Sequence, residues 1–188
     1  MGFVIIALYR DGDDAGGFAD FTGDWIIIMS VRVGFGYDVH AFCEGRPLIL
    51  GGVKVPYEKG LLGHSDADVL VHAIIDAILG AVALGDIGQH FPDTDPAYKG
   101  ANSLDLLTAV MDLIRRRGYE ISNVDATVVA QRPKLMEYIL PMRHRIAETM
   151  GVDLDRVSVK ATTSEKMGFV GREEGMACHA VAALVLHS

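Results

Sequence analysis

The run DADVLVHAIIDAILGAVAL, Asp66 to Leu84, limits what this chain can fold into more than any other stretch. Read as a helix it is apolar on most faces, whereas a surface helix keeps a polar stripe at the 3.6-residue period. Such a helix has to be packed on nearly every side. Ser65 followed three residues later by Asp68 has the form of a capping box, which places the helix start there. At 188 residues the chain is expected to form one domain, long enough to bury that helix without disulfides or other staples.

The flanking segments supply what the helix packs against. Val31–Val39 reads as a strand and Pro47–Val55 as another, with a bulge or turn at Gly51-Gly52. Gly85 to Gly100, GDIGQHFPDTDPAYKG, shows no periodicity and has the length of a functional loop. A second helix is expected from near Ser103 to Gly118, acidic at its start and basic at its end as the helix dipole favours. Then come a strand over Val124–Ala130 and a helix over much of Leu135–Met150, with Pro141 near its start and Gly151 as its stop. Strands near Val157–Thr162 and Met176–Leu186 close the chain. The alternation predicts an α/β domain with a single mixed β-sheet and helices on one face. The last strand, MACHAVAALVL, is apolar on both faces, so sheet-to-sheet packing in a homo-oligomer is expected to cover the second one.

Residues 1–28 differ from the rest. RDGDDAGGFADFTGD has no sustained period, and five acids against Arg10 give the first 28 residues half of the formal charge of -8. This extension is expected to be dispensable, with the functional domain spanning residues 29–188. It is too acidic for a transit peptide and lacks the basic start of a secretory signal. The overall acidity argues against nucleic acid as a partner. Apolar runs such as Val4–Leu8 are far short of the roughly 20 residues that span a bilayer, so no membrane association is expected. Cys43 and Cys178, distant and without C-x-x-C spacing, suit a reducing compartment and read as packing residues.

Chemistry enters with GYDVHAF, Gly36 to Phe42. The period of two puts Asp38 and His40 on one strand face, where they are either two metal ligands or a polar edge. His72, midway along the apolar helix, is either a core histidine satisfied by one hydrogen bond or a third ligand. Together the three form an Asp/His/His set with a fourth position open, as catalytic zinc is held. Asp68 and Asp76 lie one turn either side of His72; each either orients the imidazole or serves the helix start and the solvent face. KATTSEK, Lys160 to Lys166, offers hydroxyls, amides and a carboxylate to phosphates and magnesium, though a polar loop would look the same. AQRPKL, Ala130 to Leu135, is an anion grip or a solvated turn.

GYDVHAF, LILGGVKVPYEKGLLGHSDADVLVHAIIDAILGA, LGDIGQHFPDTDPAYKGA, AQRPKL and VKATTSEKMGFVGREEGMAC, in this order, closely resemble the 2-C-methyl-D-erythritol 2,4-cyclodiphosphate synthase family over Val31 to Leu186. The resemblance implies a lyase of isoprenoid precursor biosynthesis. It would act on 4-diphosphocytidyl-2-C-methyl-D-erythritol 2-phosphate, releasing CMP as the cyclic diphosphate closes. By resemblance Asp38, His40 and His72 bind zinc and Glu165 binds magnesium or manganese, with Thr162 and Thr163 on the diphosphate. His64, Ser65, Asp86, Gly88 and Asp93 would bind the methylerythritol phosphate portion, and Ala130, Pro133, Lys134, Leu135 and Met136 would frame cytidine. The family is a homotrimer with active sites at subunit interfaces, and a bacterial cytoplasm is the expected location. Phe169 and Arg172 match positions lining a central cavity for isoprenoid diphosphates. Val170, Glu173 and His179 depart from the threonine, glycine and glutamate common there. Two rival readings share these residues: a zinc phosphohydrolase releasing linear phosphates, and a trimeric isoprenoid-binding module without catalysis.

Overall fold

The computed structural model describes residues 31–186, so the expectation for residues 1–28 lies outside the described residues. The strands are β1 (Val31–Cys43), β2 (Leu48–Leu50), β3 (Val53–Val55), β4 (Gly60–Leu61), β5 (Tyr119–Val129), β6 (Val157–Thr162) and β7 (Gly175–Leu186). The helices are α1 (Val69–Ala81), α2 (Ile87–His90), α3 (Ser103–Arg116), α4 (Met136–Met150) and α5 (Gly168–Gly171). Five strands form one sheet in the order β4-β1-β7-β5-β6, while β2 and β3 pair as a separate hairpin. β5 and β6 run parallel and the other pairs antiparallel, so the sheet is mixed, as expected.

α1 occupies the centre. Every residue from Val69 to Ala81 except Asp76 and Gly80 is buried. The helix rests on β1 and β7, and α3 packs against it through a stripe including Leu107, Met111 and Ile114. α4 sets Met142, Ile146 and Met150, four residues apart and so on one helical face, toward the core beside β6. The opposite face of β1 stays uncovered: Val33 is 65% and Phe35 62% exposed, and Val31, Tyr37, Val39 and Val181 are exposed too. A contiguous apolar face of this kind marks an interaction surface.

Several boundaries differ from the sequence expectation for local reasons. Pro47–Val55 is not one strand but the β2–β3 hairpin, because Gly51 and Gly52 both take positive φ (57° and 70°), the conformation a tight two-residue hairpin turn requires. β1 continues past Val39 to Cys43, held by β7 as far as Ala41 and by β4 at Phe42 and Cys43, and β5 begins at Tyr119 because pairing with the long β7 sustains it. α4 starts at Met136, so Pro141 lies inside the helix rather than near its start. Cys178 is buried and Cys43 half-buried, both free thiols.

The expected capping box at Ser65 does not form. Asp68 is the N-cap of α1, its carboxylate accepting Val71 N–H. The same carboxylate, fully buried, accepts Gly51 N–H at 2.9 Å and Gly52 N–H at 2.7 Å, fastening the hairpin turn to the helix start. Burial pushes its pKa up to about 6 against the pull of those amides. Asp68→Ala therefore removes a cap and orphans amides in the interior, and a loss of roughly 3 kcal/mol in urea unfolding is the expected result.

Candidate active site

Gly34, Gly36, Asp38 and His40 share the face of β1 that looks toward α1. A Cβ on Gly36 would lie 2.0 Å from the Ala73 carbonyl oxygen, and one on Gly34 2.0 Å from that of Ala77. The missing side chains let the helix backbone settle directly on the strand. Further along the same face the strand resumes side chains, and Asp38 and His40 meet His72 on the helix.

The three groups converge on one point. His40 Nε2 is 3.0 Å from Asp38 Oδ2, His72 Nδ1 is 3.1 Å from the same oxygen, and the two nitrogens are 3.2 Å apart. A tetrahedral ion with bonds of ~2.0 Å has ligand-to-ligand edges of about 3.3 Å, so this triangle matches one face of such a polyhedron. The remaining ring nitrogens point away. His40 Nδ1 is 2.7 Å from the Leu62 carbonyl, which only accepts, so Nδ1 carries the proton and Nε2 presents its lone pair inward. His72 Nε2 lies 2.8 Å from Ser103 Oγ and 3.2 Å from Ser65 Oγ. Burial opposes charge on Asp38, yet the two imidazoles of His40 and His72 beside it hold its carboxyl well below the usual range. Burial likewise opposes the cationic form of His40, and the Asp38 carboxylate overcomes it, raising the pKa. Two imidazoles and an anionic oxygen crowded together in this way fit a divalent cation.

Asp76 does not orient the imidazole: its carboxylate accepts Ile87 N–H at 2.7 Å and ties α2 back to α1. Asp86 caps α2, with Gly88 inside that turn, and the Gly85–Gly100 loop ends where Gly100 N–H meets the His64 carbonyl. Ser65 joins His72 directly, whereas Asp93 stays exposed on the loop.

The other expected residues gather elsewhere. Ala130 N–H bonds to the Thr162 carbonyl at 2.9 Å, joining the loop of Pro133 (cis after Arg132), Lys134, Leu135 and Met136 to the end of β6. There Thr163 Oγ1 donates to Glu165 Oε1 at 2.5 Å, with Glu165 and Lys166 in the left-handed region. Val39, Ala177, Val129 and Thr162 form one row across four strands, so this group stands three strand spacings, about 14 Å, from the Asp38 strand. One chain does not bring Thr162, Thr163 and Glu165 to the triad. Arg172 is paired with Glu174 at 2.7 and 3.1 Å beside the half-exposed Phe169.

Sequence reasoning overlooked four residues. Arg46 donates to the Gly63 carbonyl at 2.6 Å and to that of Ser65, pinning the loop under the triad. Gln131 accepts Lys166 N–H at 3.1 Å, coupling the two loops at the β5–β6 edge. Asp66 and Ser103 lie behind His72. Of these only Ser103 left a trace, as the expected start of the second helix.

Residues 31–185 match the YgbB family. The 2-C-methyl-D-erythritol 2,4-cyclodiphosphate synthase of Ectopseudomonas mendocina is 63% identical over 155 residues, 82% of this chain and 99% of that one. Among solved structures, IspF of Plasmodium falciparum in a CDP complex superposes with a TM-score of 0.74 at 36% identity, covering 84% of this chain and 97% of that one. The bifunctional IspDF of Campylobacter jejuni gives 0.82 at 48% identity, covering 85% of this chain and 43% of that longer one. With a relative at 63% identity and a family match across the whole described sheet, the chain belongs to the YgbB family of 2-C-methyl-D-erythritol 2,4-cyclodiphosphate synthases, which are enzymes.

Proposed function

We propose that the chain converts 4-diphosphocytidyl-2-C-methyl-D-erythritol 2-phosphate into 2-C-methyl-D-erythritol 2,4-cyclodiphosphate and CMP. The observation that carries this reading is the inward convergence of Asp38, His40 and His72 in a chain of this family. In the reaction the 2-phosphate attacks the β-phosphorus of the diphosphate and CMP departs. Nucleophile and electrophile belong to one molecule, so the protein's work is to hold a flexible polyol in the cyclising conformation and to offset anionic charge. Asp38, His40 and His72 would hold zinc and Glu165 magnesium or manganese, cations that supply charge neutralisation and polarisation of phosphate oxygens.

The chain's own groups divide the substrate. His64, Ser65, Asp86, Gly88 and Asp93 bind the methylerythritol phosphate end beside the triad. Ala130, Pro133, Lys134, Leu135 and Met136 hold cytidine, and the Thr162 and Thr163 hydroxyls bind the diphosphate. Since the two groups lie at opposite sides of one sheet, the site is completed by a neighbouring copy. The exposed Val33, Phe35, Tyr37 and Val39 support a homotrimer that packs its sheets around a three-fold axis. An isoprenoid diphosphate in the central cavity would have to displace Glu174 from Arg172. Residues 29–188 act as the synthase domain, the first 28 are dispensable, and the enzyme works in the cytoplasm. No helix among the described residues is long and apolar enough to cross a membrane.

Phosphorus NMR on the chain incubated with the cytidylyl substrate, zinc and magnesium tests the reading. Cyclic diphosphate with stoichiometric CMP is expected. Linear phosphates would favour the phosphohydrolase, and absence of turnover in the metal-loaded protein would favour the binding module. In the same assay Glu165→Gln is expected to lower turnover at least about 100-fold and raise the magnesium requirement, with zinc content unchanged. Loss of zinc in that variant would overturn the division of labour between the metals.

A further inference from the structure

We infer that Asp66 and Ser103 form a positioning relay that fixes the tautomer of His72 and so aims its Nδ1 lone pair at the cation. The inference rests on the metal reading of the site. Each proton in the cluster is fixed by its neighbour. Asp66 Oδ2 accepts Ser103 N–H at 3.0 Å, and Oδ1 accepts Asp68 N–H at 3.3 Å and the Ser103 hydroxyl in a short hydrogen bond. A carboxylate can only accept, so the single hydroxyl proton of Ser103 is committed to Asp66. Ser103 Oγ has only lone pairs left for His72 Nε2, 2.8 Å away, and that nitrogen must therefore carry the proton. Nδ1 is then bare, 3.1 Å from Asp38 Oδ2.

The relay works against a specific competitor. In a neutral imidazole beside Asp38, the opposite tautomer would donate Nδ1–H to the carboxylate and close the nitrogen to any cation. Ser103 is fully buried and His72 8% exposed, which keeps water from taking over the Nε2 proton. Ser65 Oγ lies farther off, 3.2 Å from Nε2, and accepts Ala67 N–H at 3.1 Å, so the closer Ser103 oxygen decides where the Nε2 proton sits. The relay also sits on the end of the Gly85–Gly100 loop. Ser103 opens α3 directly after it, and Asp66 N–H bonds to the Ala101 carbonyl at 3.0 Å. One cluster thus sets both the metal ligand and the anchor of the loop that carries Asp86 and Asp93.

The test is nitrogen-15 NMR of the metal-free, full-length chain at alkaline pH, alongside zinc titration. The wild type is expected to show His72 as the Nε2–H tautomer. In Ser103→Ala the Nδ1–H form should grow and zinc affinity fall about 10- to 100-fold, the range for loss of an orienting partner of a ligand. Asp66→Asn keeps the shape but can donate to Ser103 Oγ, freeing the hydroxyl proton to face His72. It should shift the tautomer the same way without unfolding the chain. The double variant should lose little more than the worse single one, because both act through one proton. Wild-type zinc affinity in both single variants, or weakened affinity with the His72 tautomer unchanged, would overturn the relay. Neither readout uses turnover, so a failure of the synthase reading in the product assay is separately visible.

Discussion

Gly36→Ala is expected to cost more than 3 kcal/mol and to strip the chain of its metal, although it adds only a methyl group. Overpacked cores usually lose about 1–3 kcal/mol because side chains can rotate aside. Here the new Cβ would lie 2.0 Å from the Ala73 carbonyl oxygen and 2.7 Å from Ala77 N, both helix backbone. Neither can rotate, so α1 would have to lift by about 1.4 Å to restore a tolerable contact. A shift of that size carries His72 away from Asp38, from which it is now 3.1 Å, and opens the ligand triangle. Gly80→Ala on the same helix is the control. Its Cβ would meet nothing nearer than the Phe35 carbonyl oxygen at 3.8 Å, and helix propensity then predicts a gain of up to about 1 kcal/mol. Urea midpoints and zinc content of the two variants decide the matter. A Gly36→Ala protein with wild-type stability and bound zinc would mean that α1 does not rest on β1 as described.

What could be read from the residues alone follows from how local each signal is. Asp38 and His40 were legible as a pair because strand periodicity is a property of adjacent residues. His72 was legible because an imidazole inside an apolar helix is costly without a partner. The glycines of β1 carried no such signal, since a close helix approach is visible only once Ala73 and Ala77 are placed above them. Asp68 begins the helix, as one of its two readings had it, but the capping box with Ser65 was misread for a related reason. Its spacing from Ser65 imitates a capping box, but the tertiary contact with the Gly51–Gly52 turn makes it the cap itself. Ser103 and Asp66 are 37 residues apart, and nothing short of the loop closure between them reveals that they act on His72. The α/β class and the mixed sheet survived these local errors because both depend on the order of long periodic segments rather than on their ends.

His72→Ala should remove zinc and turnover together while leaving the fold in place, since the lost side chain lies at the margin of the core and α1 keeps its apolar packing. The turnover loss should reach at least about 1000-fold, because a cation that both orients and neutralises phosphates has no substitute among the side chains of the triad. Turnover near the wild-type level would sink the three-ligand assignment. The variant also tests the split site. Glu165 stands across the sheet from the triad, so Glu165→Gln and His72→Ala damage different halves. If each site is assembled from the triad of one copy and the Glu165 loop of the next, unfolding and refolding the two inactive variants together creates intact sites. Random assortment around a closed ring pairs an undamaged triad with an undamaged loop in about one quarter of the sites. Recovery of roughly that fraction of wild-type turnover is the expected result. A mixture as inactive as its components would place both halves within one chain and require the Glu165 loop to cross some 14 Å of sheet to reach the triad.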